Sequence, residues 1–110
     1  MQKIFNNGSK GDKRQILIDI KDGTIWFYFY EQYKRELNYI KEEAERRQET
    51  GEPELTEEEK HIHEFYWIDA HDWNLSKTQN LERGDNWHNH MAEKAWFTDE
   101  MEKFLDLNAY

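Results

Sequence analysis

The sequence predicts an α+β fold, an antiparallel β-hairpin or three-stranded sheet packed by three to four α-helices. Three observations carry this: two β-rich runs flanking Asp22-Gly23, a change to helical periodicity at Glu31, and helix-start signals at Thr56 and Thr98. In "QILIDIKDGTIWFYFY", β-branched and aromatic residues lie on either side of the dipeptide that tight hairpin turns favour. Strands are therefore expected at residues 15 to 21 and 24 to 30. Ile16, Ile18 and Ile20 share one face of the first strand, with Leu17 and Asp19 on the other. In the second, Ile25, Phe27 and Phe29 oppose Trp26, Tyr28 and Tyr30, so both faces should be at least partly covered. "KIF" at residues 3 to 5 is a candidate third strand, after which comes the loop "NNGSKGDK".

From Glu31 onward Tyr33, Leu37, Ile40 and Ala44 recur at helical spacing with charged residues between them. This predicts an amphipathic helix of about five turns, ending near Glu49, where Thr50-Gly51-Glu52-Pro53 breaks the pattern. Thr56 with Glu59 forms a capping-box signature, so a second helix is expected to start there. Ile62, Phe65, Tyr66, Asp69 and Trp73 continue its spacing, although "EFYWID" also reads as a strand. Residues 74 to 86 read as a loop or frayed turn. A third helix follows Gly84, with Trp87, Met91, Ala95 and Trp96 expected inward, and Thr98 opens a last short helix striped by Met101, Phe104 and Leu105. Residues 1–110 are expected to form a single domain, with a β-hairpin region at 1–30 and a mainly helical region at 31–110.

Composition narrows the function classes. A chain of 110 residues can bury one core without staples, and 15% aromatics compensate for a modest 36% hydrophobic content. The absence of cysteine excludes disulfides, thiolate metal sites and thiol nucleophiles. The start "MQKIFNNGSKGDKR" lacks the apolar centre of a signal peptide, and no run approaches a membrane span, so a cytoplasmic protein is expected. The formal charge of −9 is unevenly distributed. Up to Lys21 the bases Lys3, Lys10, Lys13, Arg14 and Lys21 face only Asp12 and Asp19, whereas from Glu49 to Asp72 nine acids face only Lys60. A surface of that sign repels nucleic acid and anionic membrane and attracts basic protein, so no direct nucleic-acid binding and no membrane association are expected.

Residues that could carry chemistry are few. His61, His63, His88 and His90, with carboxylates, offer a metal-binding alternative, as a metal-stabilised domain or a metal-dependent enzyme. Residues two apart on a helix point about 200° away from each other, so either H-x-H pair could chelate only from extended chain. Ser9 and Ser76 are the two serines, and neither lies in a nucleophile-elbow setting. Gly-rich phosphate cradles are missing as well. No catalytic activity and no cofactor are therefore expected.

The acidic residues form the main candidate site: Glu42, Glu43, Glu45, Glu49, Glu52, Glu54, Glu57, Glu58, Glu59, Glu64, Asp69 and Asp72, with Trp73 as an aromatic anchor. A helix rises about 1.5 Å per residue and duplex DNA carries one charge per about 1.7 Å, so a carboxylate-rich helix approaches the charge density of nucleic acid. Trp67, Trp73, Trp87 and Trp96 among these acids suit an interface with a basic partner. The competing readings are a solvated face for the acids and core packing for the indoles.

In size, acidity, lack of cysteine, aromatic richness and lack of catalytic motifs the chain resembles the small acidic anti-defence proteins of phages and mobile elements, anti-CRISPR and anti-restriction proteins among them. The resemblance implies an inhibitor that occupies the nucleic-acid- or PAM-binding surface of a host RNA-guided nuclease as a DNA mimic, or that locks it in an inactive arrangement, in the cytoplasm of the host cell. It carries no family residue over to this chain. An oligomerising structural phage protein, joined through exposed aromatics, is the other alternative, and under it a homo-oligomer is expected.

Overall fold

The computed structural model describes residues 1–78 and 87–109, and the 79–86 part of the expected loop lies outside them. Its elements are β1 (Gln2–Phe5), β2 (Ile16–Lys21), β3 (Thr24–Phe29), α1 (Tyr30–Thr50), β4 (Tyr66–Asp69), α2 (Ala70–Thr78), α3 (Trp87–Ala92) and α4 (Asp99–Asn108). The four strands form one antiparallel sheet in the order β1-β2-β3-β4, so the fold is α+β as the sequence predicts.

The β2–β3 hairpin turns at Asp22 and Gly23, with φ of 52° and 76°. Two consecutive positive φ values make the turn whose twist matches the strands it joins, which is why Asp-Gly sits there. Lys21 then opposes Thr24, and every later pair follows in step. That register puts Ile16, Ile18, Ile25 and Phe27 on one face, joined by Ile68 of β4, all of them completely buried. Trp73 of α2, Met91 of α3, and Met101, Phe104 and Leu105 of α4 close over this inner face.

β4 corrects one expectation. The capping box does form, with Thr56 N–H donating to Glu59 Oε1 at 3.1 Å and Glu59 N–H to Thr56 Oγ1 at 3.2 Å. It closes a single turn, not a second helix. Beyond it the strand reading of "EFYWID" prevails, because Phe65 N–H donates to Phe27 O and Ala70 N–H to Gly23 O, both at 2.9 Å. Docking Ile68 opposite Ile25 buries more apolar surface than an isolated amphipathic turn would. A second correction concerns Asn74 to Thr78, which continue α2 where a loop was expected.

The outer face is covered differently. The first turns of α1 lie across it, with Tyr33 against Tyr28 at 5.0 Å between ring centroids and its hydroxyl accepting from Gln2 Nε2. None of the 21 residues of α1 is fully buried. From Ile40 onward the helix faces the returning segment, and Ile40, Ala44 and Arg47 line a groove with Leu55 and Lys60. The chain reverses at Gly51, whose left-handed φ of 75° lets the N–H of Glu52 fold back to Arg47 O at 3.0 Å. The molecule measures 55 × 31 × 23 Å with a radius of gyration of 16.7 Å. A compact chain of this length would have about 13 Å, and α1, about 31 Å long, accounts for an elongated shape.

Candidate functional site

Residues 41 to 60 make an acidic arm, the second half of α1 and the segment that returns along it. Nine glutamates there face Lys41, Arg46, Arg47 and Lys60. At 100° per residue, Glu42, Glu45 and Glu49 fall within about 60° of one another. The half-buried Glu36, Ile40, Glu43 and Arg47 lie on the opposite side. Glu42, Glu45 and Glu49 thus form an exposed stripe along the outside of the arm.

Glu43 and the two arginines hold the arm together. Arg46 and Arg47 both donate to the Glu43 carboxylate, and Arg47 reaches across the reversal to Glu59 at 2.7 Å. Arg46 also contacts Glu52 at 2.8 Å. Hydrogen bonds from Arg46 and then Arg47 pull the Glu43 pKa down to about 2. Glu59 is lowered too, first by the Thr56 backbone N–H and then by Arg47. Further along, Glu36 accepts from both the ring Nδ1 of His63 at 2.6 Å and its backbone N–H at 3.2 Å. That contact raises the His63 pKa. Glu36 is pushed up by burial but ends lowered, because the hydrogen bonds from His63 outweigh it.

The candidate acids therefore divide. Glu43, Glu52 and Glu59 are engaged by the arm's own arginines, Glu64 by His61 at 2.8 Å, and Glu57 by Lys60 at 3.8 Å. Glu42, Glu45, Glu49, Glu54 and Glu58 are exposed and have no basic partner among the described residues. Asp69 and Asp72 stand apart from the arm at the start of α2, where Asp69 Oδ1 accepts the His71 N–H at 2.8 Å. Trp73 is a correction: it is 0% exposed in the core, so its ring cannot anchor a partner. Its place among the acids suggested it, but Asp69 closes β4 and Trp73 follows in α2, packed into the core.

Trp67 is the exposed indole, at 56%. It lies opposite Trp26 on the outer face, with ring centroids 6.3 Å apart. Alternation along "EFYWID" was the signal that could have selected it, since a strand sends Trp67 and Asp69 outward when Ile68 points in.

The histidines do not converge. His61 and His63 have ring centroids 6.2 Å apart but pair with different glutamates, His88 packs on Trp73, and His90 stacks on Tyr66. Among the described residues no three histidine or carboxylate groups come together as a metal site would require. Ser76 is buried, donating to Trp73 O and accepting the His88 N–H, which ties α2 to α3. No helix among the described residues is long and apolar enough to cross a membrane. Comparison with protein-family models, curated proteins and solved structures finds no match to this chain.

Proposed function

We propose that the chain is a small acidic inhibitor that binds a basic, nucleic-acid-handling protein, in the manner of an anti-CRISPR protein occupying the nucleic-acid-binding surface of an RNA-guided nuclease. One observation carries the reading: Glu42, Glu45 and Glu49 line the outside of the arm without an ion pair to any described residue, while Arg46 and Arg47 are engaged by Glu43, Glu52 and Glu59 and brace it. A braced arm presents its charge at low cost in side-chain and backbone ordering, which favours association. Clustered carboxylates attract a cationic groove and speed the encounter. Once seated, the arm denies that groove to nucleic acid.

Binding to purified RNA-guided nucleases, measured at low and high salt with and without bound nucleic acid, tests this. The native chain should compete with nucleic acid and lose affinity as salt rises. The E42K/E45K/E49K triple variant should bind on the order of tenfold more weakly at low salt. Unchanged affinity and salt dependence in that variant would overturn the arm as the docking element.

A further inference from the structure

At the edge of the sheet, along β4, lies a second feature of different chemistry. Phe65, Tyr66, Trp67 and Trp87 wall a groove of about 410 Å³ together with Asp69 and Asp72. β4 is the last strand of the sheet, so the groove wraps an edge and is open to solvent on the Trp67 side. Among the described residues its lining holds four aromatic rings and two carboxylates, and no lysine or arginine. Tyr66 and Trp87 meet edge to face, with centroids 6.2 Å apart. The same cluster already carries one cation of the chain, the Lys94 ammonium, 5.6 Å from the Tyr66 ring centre.

We propose that this groove takes an arginine side chain of the basic partner. The inference rests on the partner being basic, and it names a second point at which that partner is held. An aromatic wall attracts a cation through the negative face of its ring, and a guanidinium can also stack flat on an indole. Carboxylates at the mouth accept the guanidinium N–H groups, with two parallel bonds where geometry permits. Asp69 keeps one oxygen on the His71 N–H and has the other for this purpose, and Asp72 has no basic partner among the described residues. A lysine would satisfy the charge but not the flat stacking surface. Arginine is therefore the occupant that uses both features. Positive charge from the partner and negative charge at the groove make the pairing electrostatically complementary, as with the arm.

The probe is a neutral-backbone peptide, Ac-Gly-Gly-Arg-Gly-Gly-NH2, added to the isotopically labelled full chain and followed by NMR. The indole N–H signals of Trp67 and Trp87 should shift and saturate, and the lysine analogue should bind about fivefold more weakly. Trp67→Ala should abolish saturation, and Trp67→Phe should weaken it, with circular dichroism confirming that both variants fold. Asp72→Asn should weaken binding without touching the Asp69 contact to His71. The E42K/E45K/E49K variant should bind the peptide as the native chain does, which separates the groove from the arm. If that variant keeps nuclease binding while Trp67→Ala keeps normal peptide saturation, arm and groove fail independently. Absence of saturable shifts at Trp67 and Trp87, or equal binding of the lysine peptide, overturns the groove proposal.

Discussion

The two faces of the sheet have been given opposite tasks. The inner face is floored by Ile16, Ile18, Ile25, Phe27 and Ile68, and under α2, α3 and α4 these five side chains are inaccessible to solvent. The outer face carries the start of α1, leaves Trp67 and Ile4 open, and sends the rest of α1 away as a charged arm with no fully buried residue. Strand alternation is what allows this division, because neighbouring residues of β4 serve different sides. Tyr66 and Ile68 support the core, while Trp67 and Asp69 are free to meet something else. Buried packing is concentrated on one side of the sheet, and exposed aromatic and acidic side chains on the other side and beyond its edge.

Two tryptophans six residues apart give the largest test of that division. Trp73→Ala should destabilise the fold by about 3–5 kcal/mol, the usual cost of removing a buried large aromatic. Trp67→Ala should stay within about 0.5 kcal/mol, as surface substitutions do. Urea denaturation of both variants measures the contrast, and equal losses would break it. Arg47→Gln probes the arm next. Without its bond to Glu59 the return segment should separate from α1, and hydrogen exchange of residues 52 to 60 should quicken roughly tenfold while the core amides stay protected.

The smallest effect is a pH dependence at the base of the arm. The folded pKa of His63 lies above its ordinary 6.5, so its contact with Glu36 contributes stability in full below about pH 6.5. That contribution disappears as pH rises through the raised value. Glu36 sets the other limit, since its pKa is lowered and its share is lost as pH falls through that depressed value. His63→Gln should therefore differ from the native chain in mildly acidic buffer and converge with it in alkaline buffer. The difference between their urea midpoints across pH reads this directly, and a constant offset would mean that the ionic contact contributes nothing.

Much of the framework is legible in the sequence, and for physical reasons. Asp22-Gly23 can take the positive φ values a tight hairpin requires, so strand positions followed from it. The apolar repeat from Tyr33 to Ala44 has the period of a helix and became one. What escaped was competition between local and distant forces. The capping box at Thr56 is a genuine helix start, yet pairing with β3 captured the chain ten residues later and left one turn. Charge was legible as a total along the arm, but the partners were not, because Arg47 reaches Glu59 only once Gly51 has reversed the chain. Trp73 and Trp67 look equivalent in composition, and only the switch from β4 to α2 sends one inward and leaves the other exposed.

The arm is spliced into the connection between two strands that are neighbours in the sheet, β3 and β4. Lengthening or trimming its far end by whole helical turns would leave both anchor points where they are, and loop closure changes by only about 0.6 kcal/mol per doubling of length. The tip can therefore change in length without disturbing the sheet that carries it. Such a layout keeps the part of the molecule that tolerates change apart from the part whose packing must be kept.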